Sequence, residues 1–142
     1  MNECPLCLRR NEILVHDGDD LRVILVDDHD YPGYCRVIWN AHVAEMTDLS
    51  AAQITRLMGA VLAVEESLRA ILKPEKINLA SLGNVVPHLH WHVIPRFADD
   101  AHFPQSIWGP RQREPDAARL AQRRAQRSAL QAALTARLEA AG

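Results

Sequence analysis

Apolar residues cluster in short runs along the chain, and one run, residues 88–94, alternates polar and apolar positions with the period of two that is typical of β-strands. Five stretches of four to six residues are rich in branched and aliphatic side chains: Ile13 to His16, Leu21 to Val26, Tyr34 to Trp39, Ile77 to Leu82 and Leu89 to Ile94. Asp17-Gly18 separates the first two and favours a hairpin, while Gly83-Asn84 predicts a turn or bulge between the last two. The pattern predicts five strands.

One central stretch follows the helical period instead. Ser50 and Gln53 have the spacing of a capping box, and the repeat after them ends at Lys73-Pro74. The apolar residues at helical spacing are Ile54, Leu57, Met58, Val61, Leu62, Leu68, Ile71 and Leu72. Five short strands and one long helix predict an α+β fold with an antiparallel sheet.

The C-terminal quarter differs in composition from the rest. Residues 97–115 contain three prolines and read as irregular loop, and Pro115-Asp116 then suits the start of a helical tail. Residues 109–142 carry seven arginines and three acidic residues, whereas residues 1–108 carry nine basic and fifteen acidic ones. We therefore predict a main domain over 1–108 and an arginine- and alanine-rich helical extension over 109–142, which docks only at its end or against a partner chain.

The bulk composition excludes several classes of protein. With 142 residues, 48% of them apolar, and a formal charge of -2, the chain suits one globular domain with no nucleic-acid or membrane partner. No apolar run is long enough to span a bilayer, and the polar start lacks the blocks of a signal peptide. We expect a cytoplasmic protein.

Three of the seven histidines occupy alternate positions in the last predicted strand, at His88, His90 and His92. On a strand these side chains share one face, and the intervening apolar residues share the other. Such a row suits metal binding, or phosphoryl chemistry in which one imidazole attacks phosphorus and its neighbours donate hydrogen bonds. Polar alternation on a solvated sheet face is the alternative without chemistry.

The run His88-Leu-His90-Trp-His92-Val-Ile, continued by Pro95-Arg96, resembles the signature of the histidine triad (HIT) superfamily. The order of a long helix, a strand with Asn78, a glycine turn and the triad is also similar, as is an earlier strand that ends near His42. The resemblance spans about residues 4 to 97 and is strongest to bacterial hydrolases of the diadenosine tetraphosphate hydrolase kind.

This resemblance implies a HIT-like fold, a homodimer and hydrolysis or transfer at the α-phosphate of dinucleoside polyphosphates or nucleotide conjugates. It implies that His90 is the nucleophile of a nucleotidyl-histidine intermediate, that His92 holds phosphate oxygens and that His88 assists or binds a metal. The implied substrate-binding residues are Asn78, Asn84, Asp27 and Asp28, the aspartates for the ribose hydroxyls. No cofactor is required for this chemistry.

Cys4 and Cys7 have the spacing of half a zinc site. The resemblance adds His42 and His88 as the other two ligands of a structural zinc ion. Reduced thiols on a loose N-terminus are the other interpretation of the cysteine pair.

Two other functions remain open from the sequence. One is a nucleotide-binding module with weak or absent catalysis. The other is a metal-dependent hydrolase that uses the histidine row, for which the sequence supplies Val93, Ile94 and Pro95 where a further ligand is expected.

Overall fold

The computed structural model describes residues 3–141, so Met1, Asn2 and Gly142, the outermost residues of the two predicted domains, lie outside the described residues. The predicted fold class is confirmed. The elements in chain order are α1 (Pro5–Leu8), β1 (Ile13–Asp17), β2 (Leu21–Leu25), β3 (Cys35–Trp39), a 3-10 turn (Met46–Asp48), α2 (Ala51–Ile71), β4 (Lys76–Ala80), β5 (His90–Arg96), α3 (Ala117–Ala125) and α4 (Arg127–Ala141). Among the described helices, none combines the length and hydropathy that a bilayer crossing requires.

The five strands form one antiparallel sheet in the order β1-β2-β3-β5-β4. In this order β5, which carries the histidines, lies between β3 and β4. The register of β3 and β5 pairs Ile38 with His90 and Arg36 with His92. Residues that pair across neighbouring strands project their side chains from the same side of the sheet. The register therefore determines which β3 side chains lie beside the triad.

Helix α2 covers the face of the sheet opposite the histidines. It begins at a capping box in which Ser50 Oγ accepts from Gln53 N at 3.2 Å, and Ser50 N donates to Gln53 Oε1 at 2.8 Å. Its fully buried side chains include Leu57, Val61 and Leu68, which pack on the apolar face of the strands. The sequence pattern predicted this helix to within one residue at either end.

The C-terminal tail forms two helices that meet at Gln126, where one helical segment was predicted. Leu130, Leu134 and Leu138 of α4 are each no more than 2% exposed and belong to the same apolar core as the sheet. The tail thus packs through this leucine stripe onto α2 of its own chain.

The short helix α1 was not predicted, and it lies on the histidine side of the sheet. Its Leu6 packs against Ile24 of β2 and Ile38 of β3. Arg22 donates to the Leu6 carbonyl at 2.6 Å, which fixes the end of the helix. This packing brings the two cysteines of the N-terminal segment to the first histidine of the triad.

Candidate active site

The three triad histidines are buried on one face of the sheet, as the alternation predicted, and each ring binds a different partner. His88 is fully buried. Its Nε2 lies 2.6 Å from the Trp39 carbonyl oxygen, which can only accept, so Nε2 carries the proton. Burial lowers the pKa of His88 and favours the neutral ring. The remaining nitrogen, Nδ1, therefore has a free lone pair.

That lone pair points into a cluster of cysteine and histidine side chains. His88 Nδ1 lies 3.4 Å from Cys4 Sγ, 3.4 Å from Cys7 Sγ and 3.1 Å from His42 Nδ1. Cys7 Sγ and His42 Nδ1 are 3.4 Å apart, and all four donor atoms lie within 4.8 Å of one another. Tetrahedral zinc with two sulfur and two imidazole ligands places its donor atoms about 3.3–3.8 Å apart. The donor types and their spacing fit zinc.

His90 is oriented by its own strand. Its Nδ1–H donates to the His88 carbonyl oxygen at 2.6 Å, so Nε2 is the unprotonated nitrogen of the neutral ring. Burial lowers the pKa of His90, and the positive charge of Arg36 lowers it further. A neutral imidazole with a fixed lone pair is suited to attack an electrophile at neutral pH.

His92 lies beside His90, with ring centroids 4.9 Å apart. Burial first, then the charges near it at His90 and Arg36, lowers the pKa of His92 to about 4. Its Nδ1 is 2.6 Å from the hydroxyl of Tyr34, whose pKa is raised by burial. With the hydroxyl as donor, the proton of His92 is on Nε2, where it can donate to a bound anion.

Gly33 allows the loop before β3 to bring Tyr34 to His92. Its φ is +92°, and a Cβ at this position would come within 2.5 Å of Leu72 Cδ1 on the other side of the loop. A residue with a Cβ would be strained at this φ, and the Leu72 side chain would have to move to make room for it.

Asn78 lies on the same face as the triad, two residues along β4 from Ala80, which pairs with His92. Arg96 Nη1 donates to Asn78 Oδ1 at 2.7 Å, which leaves both amide N–H groups of Asn78 as donors. Arg96 is itself held by a bidentate pair with Asp100 at 2.8 and 3.1 Å. Asn78 is thus oriented from behind by a buried ion pair.

The other predicted substrate-binding residues lie in loops outside this hydrogen-bonded group. Asn84 is exposed in the loop that precedes the triad. Asp27 and Asp28 line a cavity with Arg123, Arg124 and several other residues, but no triad histidine contributes to that cavity. Asp28 Oδ1 also accepts from the backbone N–H of Asp30 at 3.0 Å.

Sequence reasoning missed three side chains beside the triad. Tyr34 and Arg36 lie next to His92, and the alternation of the third strand would have placed both on the histidine face once the strand order was known. Trp108 is 51% exposed and its ring lies edge-on to His92 at 5.0 Å. It comes from the stretch interpreted only as irregular loop, which carried no periodic signal.

The three rings do not converge on a single point. His88 directs its available nitrogen to the cysteines, whereas His90 and His92 use Nδ1 for bonds to a carbonyl and a hydroxyl. A cavity of about 490 Å³ adjoins the row and is lined by the loop at Gly83, by Met46 and by His90. The arrangement separates the end of the row that contacts the cysteines from His90, whose Nε2 is unprotonated in the neutral ring.

Comparison with known proteins identifies the family. The family profile of the HIT domain matches residues 9–99. An AP-4-A phosphorylase of Mycobacterium tuberculosis is 28% identical over 86 residues, 56% of this chain and 44% of that protein. A bis(5'-nucleosyl)-tetraphosphatase (asymmetrical) of Schizosaccharomyces pombe is 30% identical over 70 residues, 46% of this chain and 38% of the relative. The chain thus spans less than half the length of either relative.

Solved structures match over almost the whole chain. A histidine triad protein of Bradyrhizobium japonicum has a TM-score of 0.72 and 30% identity, covering 92% of this chain and 93% of its own. A zinc-bound histidine triad family protein of Mycobacterium smegmatis shares the fold, with a TM-score of 0.68, 23% identity and coverage of 99% and 98%. With the family profile matched over more than half of its residues, with the triad on one sheet face and with this fold, the chain belongs to the HIT domain family.

Proposed function

We propose that the protein hydrolyses or transfers nucleotides at the α-phosphate of dinucleoside polyphosphates or nucleotide conjugates. The observation that carries this proposal is the state of His90, whose Nδ1 is bound to the His88 carbonyl so that Nε2 keeps its lone pair. Distant relatives that bear the names of a dinucleoside tetraphosphate phosphorylase and a tetraphosphatase support the substrate class.

In the proposed reaction His90 Nε2 attacks the α-phosphorus and a bond from nitrogen to phosphorus forms. The bond from phosphorus to the leaving group breaks, and the leaving group departs with the electron pair and takes a proton from solvent, to which the attacking water of the second step returns one. Water, or another acceptor, then attacks the same phosphorus, the nitrogen is released and the free nucleotide or transfer product departs. No step at the phosphate requires a metal ion.

Hydrogen-bond donors around His90 would stabilise the charge on the phosphate. His92 Nε2–H and the amide of Asn78 are directed to this side of the sheet, and both are oriented by partners behind them. Asn84, in the loop before the triad, is a further phosphate ligand in this proposal. Asp27 or Asp28 binds the ribose hydroxyls, which requires the substrate to extend toward the loop after β2.

We propose a structural zinc ion held by Cys4, Cys7, His42 and His88. The chemistry of the donor set and the Nε2–H bond from His88 to Trp39 support it, because that bond leaves Nδ1 free for a metal. The ion would fasten the N-terminal segment to the triad. Elemental analysis of protein purified without chelators should give one zinc per chain, and its absence would contradict this part of the proposal.

We also propose a homodimer in which two sheets pair through β4. Both β1 and β4 are edge strands, but β1 contains a bulge between Leu14 and His16, a feature that discourages pairing at an edge. Strand β4 is regular over its length, and its Leu79 is 37% exposed. Light scattering coupled to size exclusion should give twice the chain mass, and Leu79→Lys should shift it toward one chain mass.

The experiment that tests the catalytic proposal combines turnover with detection of the intermediate. Wild-type protein is incubated with diadenosine tetraphosphate and with adenosine phosphoramidate, and a quenched sample is analysed by mass spectrometry. We expect a nucleotide adduct on the peptide 86–96 and its loss in His90→Asn, with turnover reduced by at least two orders of magnitude. His29→Asn, at an exposed loop histidine, is the matched control and should keep full turnover.

Other results would redirect the proposal. Binding of nucleotide without turnover of either substrate would favour the nucleotide-binding module. An immediate loss of turnover on chelation would favour the metal-dependent hydrolase. An adduct on another residue, or full turnover by His90→Asn, would refute the role of His90.

A further inference from the structure

Three arginines lie on the histidine face of the sheet, and two of them are paired. Arg22 of β2 binds Glu12 through Nε at 2.8 Å and Nη2 at 2.7 Å. Arg96 of β5 forms the bidentate pair with Asp100. Both side chains are at most 3% exposed, so each buried charge has a buried counter-charge. Arg36 lies on β3, between these two strands, and among the described residues it lacks such a counter-charge.

Arg36 has no acidic neighbour on its sheet face. The side chains around it are Tyr34 and Ile38 along the strand, Ile24 on β2 and His92 on β5. Within residues 3–141, no carboxylate forms an ion pair with it, and its Nε is buried without a hydrogen-bond partner. Its guanidinium carbon lies 5.8 Å from the centre of the Tyr34 ring, and its charge also acts on the Tyr34 hydroxyl.

A half-buried guanidinium with a buried, unsatisfied Nε–H is costly. An unmet buried donor destabilises a protein, and it does so more when the group is charged. Contact with an aromatic ring offsets only part of this cost. Such a group is expected where an anion binds, because the ligand then supplies the missing negative charge.

We propose that Arg36 binds a phosphate group of the nucleotide that occupies the triad. The inference rests on the proposed function in taking that ligand to be a nucleotide. The planar guanidinium of arginine matches two phosphate oxygens in a bidentate pair. Arg36 is the register partner of His92, so both side chains reach the same patch of the sheet. His92 donates one hydrogen bond there, and Arg36 supplies the positive charge that the neutral imidazoles lack.

This role makes affinity depend on the charge of the ligand. Adenosine has the base and ribose of AMP but no phosphate, so the two ligands separate the contribution of Arg36 from that of nucleoside contacts. Pyrophosphate carries phosphate charge without a nucleoside. Arg36→Gln removes the charge and keeps a polar side chain, and Arg36→Lys keeps the charge but removes the bidentate edge.

The test is calorimetric titration of the full chain with AMP, adenosine and pyrophosphate, at low and at physiological salt. We expect Arg36→Gln to weaken AMP binding at least tenfold, which is about 1.4 kcal/mol, and to change adenosine binding less than twofold. Arg36→Lys should lose less AMP affinity than Arg36→Gln. The salt dependence of AMP affinity should be weaker in Arg36→Gln, which lacks the charge. Arg56→Gln is the control, because Arg56 is half exposed on α2 and pairs with Asp20.

The outcomes distinguish this inference from the proposed function. Equal AMP affinity in wild type and Arg36→Gln would overturn the role of Arg36, even if turnover and the His90 adduct are observed. A lower unfolding midpoint in Arg36→Gln with unchanged affinity would identify Arg36 as a stabilising contact of Tyr34 and also overturn it. Binding of pyrophosphate that depends on Arg36, in a protein that neither turns over nor binds nucleotides, would uphold the phosphate site and refute the nucleotide function. A wild type that binds neither AMP nor pyrophosphate would refute the inference.

Discussion

The buried ion pair behind Asn78 gives a prediction whose size follows from the structure. Asp100 is 1% exposed and accepts two hydrogen bonds from Arg96, at 2.8 and 3.1 Å. It also accepts from the backbone N–H groups of Phe97 at 3.0 Å, His102 at 3.0 Å and Phe103 at 2.7 Å. Both carboxylate oxygens are therefore used as acceptors by the loop that follows β5.

Asp100→Asn keeps the shape of the side chain but replaces one acceptor oxygen with an amide that donates. Arg96 would then remain buried without a counter-charge, and breaking a buried pair in this way costs about 3–5 kcal/mol. Folded domains have about 5–15 kcal/mol of total stability, so the variant should still fold but with a much lower midpoint in urea. The neighbouring Asp99→Asn is the matched control.

Asp99 pairs with Arg119 and Arg123 at the surface and is 27% exposed. Exposed and partly exposed pairs contribute about 0–1 kcal/mol, so the control should lose less than about 1 kcal/mol. Urea unfolding at pH 7, followed by circular dichroism, measures both variants. If Asp100→Asn loses no more stability than Asp99→Asn, the assignment of the buried pair is wrong.

The same carboxylate sets an acid limit on stability. Burial alone would raise the pKa of Asp100, but hydrogen bonds from Arg96 and from the backbone N–H groups lower it to about 2. Against an unfolded value of 3.8, the difference corresponds to about 2 kcal/mol. This stability is present above pH 4 and is lost as the pH falls from about 4 to about 2. The stability lost on protonation is smaller than the stability lost in Asp100→Asn, because protonation does not by itself remove every acceptor of Arg96.

Three further predictions concern the triad. Tyr34→Phe removes the hydroxyl bonded to His92. The kcat/KM for diadenosine tetraphosphate should then fall about tenfold, which is about 1.4 kcal/mol, while the fold is retained. An unchanged kcat/KM would contradict the role of that bond. Because the pKa of His92 is about 4 in the folded protein and 6.5 in a free histidine, the unfolded chain takes up this proton first. The free energy of unfolding should therefore decrease as the pH falls from about 6.5 to 4, and His92→Gln should have a shallower slope in that window. Chelation should lower the melting temperature of zinc-loaded protein before it affects turnover, measured by parallel thermal scans and assays; loss of turnover at an unchanged melting temperature would contradict a structural ion.

The sequence predicted the features that depend on local periodicity. Alternation alone placed the three histidines on one face, and the capping box located the start of α2. The partners of the rings were not accessible to the same reasoning, because Tyr34 and His92 are 58 positions apart in the chain. Only the order of strands, which brings β3 beside β5, makes them neighbours.

The cluster of Cys4, Cys7, His42 and His88 illustrates the same limit. The spacing of Cys4 and Cys7 alone does not distinguish half of a metal site from reduced thiols on a loose N-terminus. In the structure, α1 packs onto the histidine face of the sheet. Leu6 lies between the two cysteines in the sequence, and its side chain packs against β2 and β3. This packing places both sulfurs beside His88. A tertiary contact of one leucine, which no local pattern encodes, decides the geometry.

The equal spacing of the triad residues in sequence hides three unequal environments. His88 is bound through Nε2 to a carbonyl, and its Nδ1 contacts two sulfurs. His90 is bound through Nδ1 to the carbonyl of His88, and its lone pair is therefore on Nε2. His88 therefore serves both groups: its ring contacts the cysteine cluster, and its main-chain carbonyl orients the next imidazole. This double use explains why the first histidine of the row differs from the other two although their spacing in sequence is equal.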